Sequence, residues 1–175
     1  IYFVIFSFGL AELIRQLVDQ GVEVVLASGN TSCFMDALCK MIGTRGTFIA
    51  ENGGVFRIGF TGTLHIKGDQ SIPRKGLEVL QDHFRASGRE LVLFNPTYRF
   101  ADLAFARTVP EKEVREVLKD HPLQILDTGY AIHLQSPGVN KGTALVALAR
   151  EMGLEPSDFL AIGDSLNDIQ MLKTA

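Results

Sequence analysis

Two aspartates four residues apart follow an apolar run at residues 159–162, with a single glycine between the run and the first of them. The run predicts a buried strand, with Asp164 at its C-terminal tip and Asp168 in the first turn of the next helix. Two carboxylates that close together repel unless a cation or a proton intervenes, and carboxylate oxygens suit Mg²⁺. An aspartate that only caps the helix is the simpler alternative. The second acid and the neighbouring Asn167 favour a metal site.

Two other junctions carry polar groups of the same kind. A predicted strand over residues 23–27 ends in Ser28-Gly29-Asn30, and a helix-like run, 31–42, follows. A hydroxyl and free backbone amides at such a junction can hold an anion, although an ordinary helix cap is equally compatible with the residues. Lys141 opens a helix that runs to residue 152. A lysine there opposes the helix dipole, so it is either a solvated surface charge or held by an anion.

In this order, the segments resemble the motifs of the haloacid dehalogenase superfamily, in the branch of phosphatases with an inserted cap. Ser28 matches the hydroxyl of the second motif, Lys141 the lysine of the third, and Asp164 with Asp168 the acids of the fourth. Several short stretches are most similar to archaeal-type phosphoglycolate phosphatases: LASGN, AENGG, GYAIHL, NKGTAL and GDSLND.

The resemblance implies an α/β fold, with a doubly wound parallel-sheet core like that of Rossmann folds and a small α+β cap. It implies a phosphatase that uses Mg²⁺ and an aspartyl-phosphate intermediate, with Asp164 and Asp168 at the metal and catalytic roles for Lys141 and Asp168. It also implies that a small phosphorylated metabolite, 2-phosphoglycolate, is bound by a set of polar residues: Ser28, Gly29, Asn30, Lys141, Asn167 and Arg99.

The first motif of the superfamily, Asp-x-Asp-Gly-Thr, is missing. Residues 1–7 look like the strand that should precede it, yet they lead almost directly into a predicted helix over 10–20, and no aspartate precedes Asp19. One or two connecting residues are too few for this junction. We therefore expect the loop with the nucleophile to be absent at residues 7–10, and the last strand and helix of the core to be absent too. A catalytically inactive phosphate-binding domain is thus one alternative, and a sugar-phosphate phosphatase or phosphomutase is another.

The middle of the sequence repeats a helix-strand-strand pattern. Predicted helices over 73–87 and 110–120 are each followed by two strands, at 91–94 and 99–108 and at 123–126 and 130–135. The pattern predicts a four-stranded antiparallel sheet with two helices, inserted at 73–136 into a core made of 1–72 and 137–175. In this insert, Arg99 could pair with a substrate carboxylate, with an exposed sheet-edge arginine as the alternative. His133 is predicted to lie on a solvated or helix-packed face.

Composition excludes several classes of partner. The net charge is −3 and no run of basic residues occurs, which argues against nucleic acid and anionic membranes. No apolar stretch approaches the ~18 residues that span a bilayer. Cys33 and Cys39 have no metal-ligand spacing and point to a reducing cytoplasm. The oligomeric state stays open, with a homodimer as one option.

Overall fold

A computed structural model describes residues 8–175. The chain begins there with helix α1, Phe8–Asp19, which is followed by strand β1, Leu26–Ala27, helix α2, Ser32–Ile42, and strand β2, Phe48–Ala50. The predicted strand over residues 1–7, and its junction with α1, lie outside the described residues. β1 and β2 pair in parallel with Leu26 opposite Phe48, as the β-α-β pattern of the sequence predicts.

The first sheet has four strands in the order β1-β2-β3-β4. A 3-10 turn, Glu51–Gly53, connects β2 to β3, Val55–Arg57, which pairs antiparallel with β4, His65–Ile66. Side chains of β2 alternate between the two faces. Phe48 packs with Met35 of α2, and Ile49 packs on the other side with Ala144 and Leu148, from a later helix. Helices on both faces leave the central strand β2 fully buried.

The second sheet is antiparallel. Helix α3, Ser71–Ala86, precedes strand β5, Leu103–Ala106, and helix α4, Glu111–Val117, precedes strands β6, Gln124–Asp127, and β7, Ala131–Gln135. The order is β5-β7-β6. The predicted fourth strand is reduced to one bridge, Leu93 to Phe105, flanked by two backbone hydrogen bonds to β5.

The two faces of the second sheet differ in chemistry. Phe105, Ile132 and Leu134 point to one face, where they form a core with α3 and α4. Their neighbours in the period-two alternation, His133 and Gln135, point to the other face and are buried without contacting that core. The polar face must therefore be covered by other polar groups of the chain.

Helix α5, Lys141–Met152, begins at an N-cap that the sequence makes recognisable. The side chain of Asn140 accepts a hydrogen bond from the amide of Thr143 at 2.9 Å, and the amide of Asn140 donates to the hydroxyl of Thr143 at 3.1 Å. This capping box fixes where the helix starts. Helix α6, Ile169–Thr174, packs beside α5 after a 3-10 turn at residues 166–168.

The predicted strand before Asp164 is wrong. Residues 159–164 have no regular secondary structure and form no ladder with a strand in the described part of the chain. Phe159 and Ala161 pack on the core, but Leu160 and Ile162 are 89% and 84% exposed. A groove of about 110 Å³ lies between this segment and β1, so the hydrogen bonds that define a strand do not form.

Candidate functional site

A cavity of about 230 Å³ lies between the two sheets. The loop after β1 and Asn167 line one side. The other side is lined by Arg99, His133 and the start of β7. The remaining lining residues are Phe94, Asn95, Thr128, Tyr130 and Ala131. Ligands of α/β folds bind beyond the carboxyl ends of the parallel strands, and the loop after β1 lies at such an end.

Ser28 and Asn30 form a compact polar loop at this edge. The hydroxyl of Ser28 accepts hydrogen bonds from the backbone amide of Asn30 at 3.2 Å and from its side-chain amide at 3.1 Å. The N-cap of α2 is Thr31, so neither residue caps the helix, and the cap alternative does not apply to them. Gly29 is required between them, because a Cβ there would lie 2.8 Å from the side-chain oxygen of Asn52.

Lys141 is not a solvated surface charge. Its Nζ donates to Oδ1 of Asp168 at 2.6 Å, and the two residues are 4% and 6% exposed. The other oxygen of Asp168 accepts the amide of Ser165 at 3.1 Å. The carboxylate therefore offsets both the lysine charge and its unfavourable position at the N-terminus of a helix. Both predicted catalytic side chains lie together in a buried ion pair.

Asn52 connects this ion pair to the Ser28 loop. Its backbone amide donates to the carbonyl of Ser28 at 3.2 Å, and its side-chain oxygen accepts from Asn167, one residue before Asp168, at 2.9 Å. Asn52 has a φ of +53°, in the left-handed region that asparagine tolerates. The next residue, Gly53, touches the backbone of Asn140 at the start of α5. An Asn-Gly pair is by itself typical of a turn, and a bridging role of Asn52 leaves no local pattern in the sequence.

Asp164 is exposed and differs from Asp168 in its surroundings. Among the described residues, its carboxylate accepts one hydrogen bond, from the hydroxyl of Ser165 at 3.3 Å. Within residues 8–175, no group of three or more His, Cys, Asp or Glu side chains is placed to hold a metal ion. Mg²⁺ usually binds one or two carboxylates and completes its shell with water and substrate phosphate. The available carboxylate of Asp164 fits one ligand of such an ion.

Arg99 is buried, against the alternative of an exposed edge residue. It lies before β5, where Nη1 donates to Oδ1 of Asp102 at 2.6 Å and to the carbonyl of Gly29 at 3.3 Å, and Nε donates to the carbonyl of Phe94 at 2.9 Å. The contact with Gly29 ties the second sheet to the Ser28 loop. Arg99 thus reaches the cavity as part of its wall.

His133 shares Asp102 with Arg99, and the prediction of a solvated or helix-packed face is wrong. Nδ1 of His133 lies 2.8 Å from Oδ2 of Asp102, on the polar face of β7. Burial would by itself raise the pKa of Asp102, but the hydrogen bond with His133 and the charge of Arg99 outweigh it and hold that pKa below its ordinary value. Asp102, which the sequence gave no reason to link to His133, is fully buried.

Glu51 is a second buried acid at the junction of the sheets. Its side chain is completely buried and accepts the backbone amides of residues 100, 101 and 102 at 3.0, 2.8 and 3.2 Å. Desolvation and, secondarily, repulsion from Asp102 raise the pKa of Glu51 to about 7, although the three amides oppose the shift. No feature of the sequence separated Glu51 from an ordinary turn residue.

Solved structures confirm the fold class predicted from the sequence. The Thermoplasma acidophilum protein 0175 matches 95% of this chain with 72% of its own length, at a TM-score of 0.82 and 28% identity. A haloacid dehalogenase-like hydrolase from B. subtilis matches 97% of the chain with 80% of its own, at a TM-score of 0.73 and 18% identity. The class is a doubly wound α/β core with a smaller inserted unit.

Sequence comparisons identify the family. A model of haloacid dehalogenase-like hydrolases matches residues 109–175. The phosphoglycolate phosphatase of Methanoculleus marisnigri is 63% identical over 94% of this chain and 71% of the relative, and that of Methanospirillum hungatei is 48% identical over the same shares. The chain belongs to the haloacid dehalogenase-like hydrolases. No helix within the described range has the length and apolar character needed to cross a bilayer.

Proposed function

We propose that this protein is a Mg²⁺-dependent phosphomonoesterase that acts on a small phosphorylated acid, 2-phosphoglycolate, through an aspartyl-phosphate. The main support is the connected set of polar groups that joins the Ser28 loop, through Asn52 and Asn167, to the buried pair of Lys141 and Asp168. It occurs in a chain that is 63% identical to a relative named phosphoglycolate phosphatase.

The proposed roles follow from charge and position. The hydroxyl of Ser28 and the amides of Gly29 and Asn30 would hold the phosphoryl oxygens, and Lys141 would offset their charge. Asp168 would keep Lys141 in place. Asp164 would hold Mg²⁺ together with the phosphate, and the ion would supply further neutralisation of the phosphoryl oxygens.

The nucleophile is the part of this proposal that the chain does not supply at the expected position. Asp168 and Asp102 are bonded to cations, Glu51 is bonded to backbone amides, and Asp164 is assigned to the metal. The sequence holds no aspartate before Asp19. This observation favours a second candidate function, a domain that binds phosphate esters without hydrolysing them.

The size of the cavity favours a small substrate. Its volume of about 230 Å³ lies below the ~300–1,000 Å³ usual for sites that take drug-sized ligands. A two-carbon acid phosphate therefore suits it better than a hexose phosphate, the substrate expected of a sugar-phosphate phosphatase or phosphomutase.

Residues 73–136 would act as the cap of this site. Arg99 and His133, from the second sheet, complete the cavity wall opposite the Ser28 loop. A cap in this position would exclude water from the phosphate and select the leaving group.

Cys33 and Cys39 are both free thiols, which supports the reducing cytoplasm as the compartment. We propose no macromolecular partner other than a second copy of the chain.

Turnover and binding measured on the same protein separate the two functions. The chain is incubated with phosphoglycolate and Mg²⁺, released phosphate is quantified, and affinity is measured by calorimetry. Phosphate release that is lost on chelation supports the hydrolase, and hydroxylamine trapping of an acyl-phosphate supports its intermediate. Tight binding with no release supports the binding domain. If neither phosphoglycolate nor inorganic phosphate binds, both functions are refuted.

A further inference from the structure

His133 presents one ring nitrogen to the cavity and the other to a buried acid. Because a carboxylate can only accept, the bond between Nδ1 and Asp102 places a proton on Nδ1. The side-chain amide of Asn52 lies 3.2 Å from the same nitrogen. Nε2 has no partner in the described part of the chain, and His133 lines the cavity. The imidazole is thus held at one edge and available at the other.

Arg99 is held in the same way, with some of its nitrogens bonded to the protein and one available. Its Nε and Nη1 donate to protein acceptors, whereas Nη2 forms no hydrogen bond with any residue of the 8–175 range. One buried carboxylate, Asp102, therefore fixes two cation-forming side chains that both line the cavity.

Other charged groups near His133 are few. Asp102 contacts it directly through one carboxylate oxygen, and Arg99 is bonded to the other oxygen of that carboxylate. Glu51 is bonded to the amides of residues 100–102. The cavity wall beside the histidine is otherwise aromatic, with Phe94 and Tyr130 stacked at 5.6 Å. An anion at this wall would find no acid side chain with a free oxygen among its lining residues.

We propose that Nε2 of His133 and Nη2 of Arg99 bind the carboxylate of the substrate, and that Asp102 is the positioning residue for both. The inference rests on the proposed function, because it places the phosphate at the Ser28 loop on the opposite wall. It identifies His133 as a determinant of specificity for acid phosphates over neutral phosphate esters.

Two ligands and two substitutions test this assignment. The ligands are phosphoglycolate and 2-hydroxyethyl phosphate, which replaces the carboxylate by a hydroxymethyl group. His133→Asn retains a donor near the position of Nδ1, and so the bond to Asp102, but it removes Nε2. His121→Asn is the control, because His121 is half-buried in the turn after α4 and does not line the cavity.

Affinities are measured by calorimetry on the full chain with Mg²⁺. We expect His133→Asn to weaken phosphoglycolate about tenfold or more, as expected for the loss of a charged hydrogen bond, and to change 2-hydroxyethyl phosphate by less than about twofold. His121→Asn should change neither. An equal loss for both ligands, or no loss, would overturn the assignment.

A carboxylate without phosphate separates failure of this inference from failure of the proposed function. Glycolate at high concentration should shift the Nε2 resonance of His133 in ¹⁵N spectra of the imidazole rings, and leave the ring signals of His121 in place. This shift is expected even if no phosphate ester binds. A wild-type protein whose His133 resonance responds to neither glycolate nor phosphoglycolate refutes the carboxylate subsite.

Discussion

The two walls of the cavity are built in opposite ways. On the wall from the second sheet, Asp102 is fully buried and both of its oxygens are paired, one with Arg99 and one with His133. On the side of the first sheet, residues 159–164 end three positions before the wall residue Asn167 and do not themselves line the cavity. They are irregular, Leu160 is 89% exposed and Asp164 has an available carboxylate. One wall is fixed by buried charge and the other is open to solvent.

This difference separates two tasks. A group that must recognise one ligand shape gains from being held by its neighbours, because little conformational entropy is then lost on binding. A group that must exchange water for a cation and a phosphate has to remain accessible. Under the proposed function, the second wall would select the ligand and the side of the first sheet would carry the chemistry. The buried pair of Lys141 and Asp168 would be the fixed point of that side.

The largest effect is expected at that fixed point. Lys141→Ala leaves the carboxylate of Asp168 buried without its cation, so it should lower the free energy of unfolding by about 3–5 kcal/mol and abolish phosphate binding. Chemical denaturation and calorimetry measure the two effects. Lys40→Ala is the control, because Lys40 forms an exposed pair with Asp36 that is worth at most about 1 kcal/mol. Similar costs for both variants would show that the Lys141 pair is not buried.

A leucine-to-alanine substitution at a buried and at an exposed position tests the difference in packing between the two sides of the site. Leu134→Ala removes a completely buried side chain from the core of the second sheet and should cost about 2–5 kcal/mol. Leu160→Ala should change stability by no more than about 0.5 kcal/mol, since that side chain is exposed. Urea denaturation of both variants makes the comparison. A cost above about 2 kcal/mol for Leu160→Ala would mean that the segment is packed in solution.

Glu51, at the junction of the two sheets, makes the free energy of unfolding depend on pH. Its pKa is raised on folding from an ordinary 4.5 to about 7, so the folded state binds the extra proton and the associated stability is present below pH 4.5. This contribution, about 3 kcal/mol at most, is lost as the pH rises towards 7. Denaturation between pH 5 and 8 should show the decline, and Glu51→Gln should flatten it. Because the pKa of Asp102 is lowered, that residue titrates below this range.

The smallest structural effect is expected at Asp164. Because the side chain is exposed, Asp164→Asn should leave the free energy of unfolding within about 0.5 kcal/mol of the unsubstituted chain. The same variant should remove the enhancement of phosphate affinity by Mg²⁺, since an amide is a weaker ligand for a hard cation. Titrations with and without Mg²⁺ test this. An undiminished Mg²⁺ effect would exclude Asp164 as the ligand.

Local patterns predicted the elements better than their pairing. Helices α2 and α5 follow from short-range signals that the structure confirms. The strand at 159–162 was predicted from an apolar run, but a strand also needs a neighbour, and the run itself contains no information about one. For the same reason, a full fourth strand was predicted for the second sheet at residues 91–94, where only one bridge forms.

The residues of the site also divide into those that a local pattern indicates and those that come together only through strand pairing. Ser28 and Lys141 were found because each follows a recognisable junction. Asp102 and His133 are 31 positions apart and meet only because β5 and β7 pair with Ala104 opposite His133. The alternation of β7 correctly placed His133 opposite to Ile132 and Leu134. What covered that face depended on the arrangement of the two sheets, which a single sequence does not specify.

Glu51 limits how this protein can be re-engineered. Its buried carboxylate belongs to the first sheet, but its three amide donors belong to residues 100–102 of the insert. A chimera that replaced residues 73–136 by a relative's insert would leave an unpaired buried charge unless the graft offered equivalent amides. Exchange of single side chains at the cavity wall leaves that contact intact, so new substrate preferences are more safely introduced there than by transplanting whole inserts.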